Sequence, residues 1–460
     1  MKPNEKVEQE KMMTGTGNRL TRGTPLLLFM VFNQHTVLAQ DTDAELLLRE
    51  HSNEFRQEII KITDDVYMAS GYGASNSAMI VGESGLIIID TKESKSAART
   101  VLEEFRAISD KPVKAIIYTH GHVDHTNGTT EFTGDNELEI YARAGFRDNL
   151  MPGSDVNPII FARTGRQFGF TLDSEEFINM GTAERPIRDE EGDGYLPPTV
   201  IFDEERFRVT IEGIDLELVA APGETDDQLY AWLPEQRVLF PGDNIYKAFP
   251  NLYPIRGAMY RDVKVWAESL EKMRLEGAEY LVPGHSRPIL GEEQVDEALR
   301  DYASAIRYVY DETINGMNEG MTANQLAESI TLPEELAESP YLTEFYGMVP
   351  WGVKSVFYGK IGWFDGNPTT LLPLSEREQA ERIIGLGGGT DNIFMEVQDA
   401  IASEDYQWAM QLADYLLATE FRTAEITEIK IQALKGVARQ QINPTARNYY
   451  FSFANELAQR

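Results

Sequence analysis

An α/β sandwich followed by an all-α helical domain is the fold class this sequence predicts, and three observations carry it. Between about Phe55 and Ala220, short runs rich in β-branched and aromatic residues alternate with turns. A strand, helix and strand pattern then repeats a second time up to His285, as in layered α/β proteins. Beyond His285 the two-residue alternation vanishes and helical spacing takes over. At 460 residues the chain also exceeds one ordinary domain. The expected division is a cleaved leader over residues 1–39, the α/β domain over 40–298 and the helical domain over 299–460.

Taken in order, Arg19 and Arg22 precede the apolar run Leu26–Phe32, and Val37-Leu38-Ala39 supplies small residues for cleavage. That is a secretory leader, and it predicts a periplasmic or secreted product. Seven apolar residues are too few to span a bilayer. Strands are expected at Val66–Gly71, Ala78–Val81, Gly85–Asp90 and Ala115–Thr119. Between them Ser94–Asp110 reads as a helix with Leu102, Phe105 and Ile108 toward the core. Later strands fall at Thr199–Phe202, Asp215–Ala220, Gln228–Leu233, Arg237–Phe240 and Tyr280–Val282. Val263, Trp266, Leu270 and Met273 mark a helix before the last of these, and Trp232 and Trp266 are core residues. In the helical domain, Phe394, Val397 and Ile401 form one stripe, and Trp408, Leu412 and Tyr415 another. Asp391 or Asn392 caps the first. Gly385–Gly389 follows no strand and lacks the third glycine of a dinucleotide loop, so it reads as a link between helices.

Composition excludes whole classes of function. Forty-two basic against 75 acidic residues give a net charge of −33, which repels nucleic acid and anionic lipid. No stable membrane insertion is expected. The absence of cysteine removes thiolate metal sites, cysteine nucleophiles and disulfides together. Any metal must be held by His, Asp or Glu.

Of only six histidines, three fall within six residues: His120-Gly121-His122-Val123-Asp124-His125. They follow directly on an apolar strand, where an α/β sheet presents its site. Alternate residues of an extended turn point the same way, so His120 and His122 can share one metal while Asp124 and His125 turn toward a second. Imidazole and carboxylate without sulfur suit zinc, iron or manganese.

The H-x-H-x-D-H run resembles the signature of the metallo-β-lactamase superfamily. Where most members place a third histidine, the sequence reads Ala221-Pro222-Gly223-Glu224-Thr225-Asp226-Asp227. That segment resembles the alkylsulfatase branch. So do Pro241-Gly242-Asp243-Asn244, Phe249–Gly257 and Pro283-Gly284-His285. Glu344-Phe345-Tyr346-Gly347 and Gly362–Pro368 resemble the start of the alkyl sulfatase dimerisation domain.

The resemblance implies a metallo-β-lactamase αββα sandwich joined to a helical dimerisation domain, and hence a homodimer. It implies two zinc ions (Zn²⁺) per chain: one held by His120, His122 and Glu224, the other by Asp124, His125 and His285, with Asp243 bridging. Asp124 would be catalytic, Arg256 would bind substrate, and the substrate would be a small anionic ester cleaved to alcohol and sulfate. Two departures are visible. The family usually ends in a lipid-carrier-like domain, for which the sequence has no room before Arg460, and it usually carries a histidine shortly after the Tyr-Gly pair, where Trp351 stands here. A lactone, carboxylic ester or phosphoester substrate, or a non-catalytic helical binding protein, remains open as an alternative.

Overall fold

The computed structural model describes residues 41–134, 138–147, 155–188, 192 and 194–459. The expected leader and the acidic run at 189–191 and 193 lie outside the described residues. Two sheets organise the first part of the chain. The first comprises β1 (Glu58–Lys61), β2 (Val66–Ser70), β3 (Ser77–Val81), β4 (Leu86–Ile89), β5 (Val113–Ile117), β6 (Glu139–Arg143) and β7 (Val200–Phe202), side by side in chain order. The second contains β8 (Arg206–Ile211), β9 (Ile214–Ala220), β10 (Leu229–Leu233), β11 (Val238–Phe240), β12 (Tyr280–Leu281) and β13 (Ile289–Leu290), again in chain order across the sheet.

The core sits in three layers, each assigned by the alternation of side chains along the strands. Ile80, Ile87, Ile89 and Ile117 of the first sheet meet Leu216, Leu218, Ala231 and Phe240 of the second. On the far side of the first sheet, Met79, Ile88 and Ile116 pack against Ala98, Val101 and Phe105 of the helix Lys95–Ile108. On the far side of the second, Val219, Tyr230 and Leu239 pack against Trp266 and Leu270 of the helix Val263–Leu275, and against Tyr302 and Ile306 of the helix Glu292–Asn318. The result is the helix–sheet–sheet–helix sandwich expected from the sequence, with helices following it.

Ser94 caps its helix as the sequence suggests, accepting the Ala97 amide. Ile108, expected in the core, is 39 % exposed, because the helix ends there and its last turn leaves the sheet. Four strands escaped the sequence reading, β1, β6, β8 and β13, as did the helix Asn157–Gln167. The helix Glu292–Asn318 runs through positions 298 and 299 and shares its core with Val353 and Val356 of the helix Val349–Ile361. After it come the helices Glu376–Leu386, Thr390–Ala402, Tyr406–Ala418, Thr423–Gln440 and Pro444–Ala458. Gly388 and Gly389, at φ 88° and 109°, turn the chain between the first two of these in a conformation other residues avoid. The expected cap at Asp391 or Asn392 is corrected: Thr390–Ala402 starts from Gly389 without a side-chain cap, because Asn392 donates instead to the carbonyls of Gly387 and Gly388.

The beginning and end of the described chain are clasped together. Glu45, in the helix Asp43–His51, accepts a hydrogen bond of 2.8 Å from Arg447 of the last long helix, and both side chains are almost fully buried.

Candidate metal centre

All seven residues singled out as ligands converge at one edge of the sandwich. β9, β11 and β12 run in the same direction, since β9 and β11 both lie antiparallel to β10 and β11 is parallel to β12. Glu224, Asp243 and His285 therefore emerge from equivalent ends of three strands. The loop after β5 brings His120 and His122, and the short helix Val123–Thr126 turns Asp124 and His125 inward. Gly284 passes so close to Asp243 that no side chain fits there.

The donor atoms form two groups. In the first, His120 Nε2 lies 2.9 Å from His122 Nδ1, and His122 Nδ1 lies 3.2 Å from Glu224 Oε2. In the second, His125 Nε2 and His285 Nε2 each lie 3.5 Å from Asp124 Oδ2. Asp243 faces both: its Oδ2 is 3.6 Å from His120 Nε2 and 3.1 Å from His285 Nε2, and its Oδ1 is 3.3 Å from His125 Nε2. His125 Nε2, Glu224 Oε2 and Asp243 Oδ1 are buried and have no hydrogen-bond partner. Buried polar atoms are rarely left so. Three orphaned donors aimed at one space, in an all-nitrogen and oxygen set, fit divalent cations.

Outer partners fix the imidazoles. His125 Nδ1 meets Asp90 Oδ2 at 2.7 Å, His285 Nδ1 meets the Ala74 carbonyl at 2.8 Å, and His120 Nδ1 lies 3.1 Å from Thr119 Oγ1. Such partners set tautomer and ring orientation. Burial pushes His120 down, and burial with the charges of Arg256 and Arg261 takes His122 down to about 4, so both rings are held in the neutral form that a metal would need. Burial alone would also depress His125 and His285, but Asp243 and Asp124 beside them hold both above the usual histidine range. Asp124 itself is held well below the carboxylate range, its burial outweighed by His125 and His285.

Two cavities open on this centre, of about 410 and 290 Å³, and both are bordered by His122, Val123, Glu224 and Arg256. Arg256 thus stands where the sequence placed it, beside the ligands; burial lowers its pKa, and its backbone N–H donates to Gln167. Lys247 does not join it, being paired with Glu54 at 3.0 Å. Trp351, which the sequence set against a family histidine, is on the helix Val349–Ile361 and is not among the described residues lining either cavity. Tyr346 lines the smaller one, its hydroxyl pushed up to about 12 by burial and so protonated at neutral pH. Sequence reasoning missed Asp90 and Arg261, which carry no local signature, and read Tyr346 only as part of the motif Glu344-Phe345-Tyr346-Gly347, not as a residue of the site.

The comparisons with known proteins agree with this geometry. Residues 70–285 match the model of the metallo-beta-lactamase superfamily, and residues 322–460 match that of the alkyl sulfatase dimerisation domain. A linear primary-alkylsulfatase of Pseudomonas sp. (strain ATCC 19151) is 38 % identical over 82 % of this chain and 73 % of its own length. An alkyl/aryl-sulfatase of Saccharomyces cerevisiae is 28 % identical over 87 % of the chain; the match spans 64 % of that relative, less than two thirds. The solved structure of a stereoselective inverting sec-alkylsulfatase from Pseudomonas sp. superimposes with a TM-score of 0.82 at 26 % identity, covering 91 % of this chain and 69 % of that one. Fold, ligand set and relatives converge: the chain belongs to the alkylsulfatase branch of the metallo-β-lactamase superfamily.

Proposed function

We propose that the protein is a binuclear zinc hydrolase that cleaves alkyl sulfates to alcohol and inorganic sulfate. The observation that carries this reading is Asp243, whose two oxygens face the two ligand groups at once, with Arg256 beside them. Two divalent ions held by these seven residues would supply Lewis acidity and a water of near-neutral pKa. The protein's own side chains supply the rest. Arg256 grips the sulfate with paired hydrogen bonds, which a planar guanidinium makes and an ammonium does not. Asp124, ionised, accepts a hydrogen bond from the attacking water and orients it. The Tyr346 hydroxyl gives its proton to the departing alcohol, in place of the missing family histidine.

A homodimer is part of the same proposal. The region matching the dimerisation domain exposes Trp363 at 70 % and Leu372 at 90 %, side chains that a partner would cover. Export is the remaining element: amino-terminal sequencing of natively expressed protein is expected to begin near Gln40, and an intact Met1 would refute it.

The reading is tested by sulfate release from dodecyl sulfate, set against panels of lactones, carboxylic esters and phosphoesters, with elemental analysis of the same sample. Sulfate release with close to two zinc ions per chain is expected. Turnover confined to another ester class, or less than half an ion per chain after growth in ample zinc, would overturn it.

A further inference from the structure

Glu224 is a divided ligand. Its Oε2 faces His122 and has no hydrogen-bond partner, whereas its Oε1 is paired with Arg261 Nη2. The pair is nearly closed to solvent, at 5 % and 7 % side-chain exposure. Arg261 is itself anchored, donating from Nη1 to the Asn251 carbonyl at 2.6 Å. The glutamate backbone is pinned separately: its amide donates to Asn244 Oδ1 at 3.0 Å, and Asn244 in turn donates to the Ala221 carbonyl and accepts at its own carbonyl from Trp266 Nε1. The main chain of residue 224 is thus positioned without Arg261. What the arginine adds is charge.

A neutral imidazole and a carboxylate are not equivalent as ligands. A carboxylate brings a full negative charge to the cation, which weakens the cation's pull on every other oxygen it touches. A guanidinium on the distal oxygen draws that charge away, strongly so in a buried site of low dielectric. It also occupies the oxygen through which the carboxylate would otherwise bind in bidentate fashion.

We propose that Arg261 is a positioning residue that makes Glu224 act as a nearly neutral, single-oxygen ligand, so that the first metal position keeps the acidity it would have with a third histidine. This deepens the reading of a metal-dependent hydrolase and rests on it. Removing a cation from beside a metal and freeing a second carboxylate oxygen both tighten the hold on that metal, while reducing its acidity. A mere structural brace would do the reverse, since losing an orienting outer partner ordinarily loosens metal.

The experiment strips metal with a chelator and titrates Zn²⁺ back against a chromophoric competitor, for wild type, Arg261→Met and Arg261→Lys, with circular dichroism on each. Arg261→Met is expected to bind its zinc about tenfold tighter than wild type, Arg261→Lys to lie between. The acid-side limb, over which turnover rises with pH, is expected to move up by about one pH unit in Arg261→Met. Unchanged or weaker zinc binding in a folded Arg261→Met overturns the proposal. Should that variant not fold, Arg261→Gln is compared with Arg261→Lys in the same titration: tighter zinc in the glutamine variant supports it, equal or weaker zinc overturns it. Because the titration needs no substrate, a failure of the sulfatase reading would show as absent sulfate release and leave this result standing.

Discussion

Asp90 Oδ2 lies 2.7 Å from His125 Nδ1 and takes the Thr119 hydroxyl at the same distance, while its Oδ1 accepts the Thr119 amide at 2.9 Å. One buried carboxylate at the end of β4 thus orients a ligand from the second group and braces the residue that precedes the first. Asp90→Asn should keep the fold but lower zinc affinity by about 10- to 100-fold, because the amide no longer fixes the His125 tautomer. Chelator competition measures this, and unchanged affinity would show that the carboxylate only braces the loop.

Arg256 makes a prediction about binding rather than about the metal. Arg256→Met removes charge-assisted hydrogen bonds to the sulfate, each worth about 1.5–3 kcal/mol, so kcat/KM should fall by roughly 100-fold with metal content unaltered. Arg256→Lys should restore little of it, since the ammonium lacks the fork. Full rescue by lysine would mean that charge alone matters at this position.

Tyr346 should matter in proportion to how poor the leaving group is. Tyr346→Phe is expected to slow alkyl sulfates by about 10²- to 10⁴-fold and to spare aryl sulfates, whose phenolate leaves without a proton. Hydrolysis in ¹⁸O-labelled water accompanies it: label in the sulfate places the break at S–O, where an acid is needed. Equal losses on alkyl and aryl esters would remove Tyr346 from that role.

The metal-free protein should release protons when it takes up zinc. Asp243 and Asp124 hold His125 and His285 above the ordinary histidine value of 6.5, so before metal arrives each ring keeps its proton to higher pH than a free histidine does. Ligation requires the neutral ring, and affinity must therefore rise with pH until those raised values are passed. Calorimetry in buffers of different ionisation heats should report protons released at pH 7. No buffer dependence would mean that the rings are already neutral.

Assembly is checked by size. Light scattering at micromolar concentration should give twice the mass of one subunit, and Trp363→Asp with Leu372→Asp should return it to one. A monomer in the unaltered protein would show that these exposed side chains serve something else.

How far the sequence could be read follows from which signals are local. Strands β2 to β5 announced themselves because each is a short, mostly apolar and mostly buried run bounded by turn residues. β8, Arg206-Phe207-Arg208-Val209-Thr210-Ile211, alternates with charges on an edge of its sheet, and β6 carries Glu139 and Arg143 at its ends. Both look like loop to a reader of composition. The site divides the same way. Four histidines and three carboxylates were legible because clustering or family spacing marks them. Asp90 and Arg261 were not, because each matters only through a partner far along the chain, and Tyr346 was read as motif without its place in the cavity. Arg261 meets Glu224 across 37 positions, and Asp90 meets His125 across 35.

The clasp between Glu45 and Arg447 spans 402 positions and so has a meaning in time as well as in space. A ribosome adds the guanidinium 402 positions after Glu45, and Arg439, the other cation beside that carboxylate, comes almost as late. Contacts of such separation form late, after the entropy of a long loop has been overcome. The clasp on the helix Asp43–His51 therefore closes only after every described strand of both sheets has been made. It makes the helix Pro444–Ala458 the lock on the helix Asp43–His51.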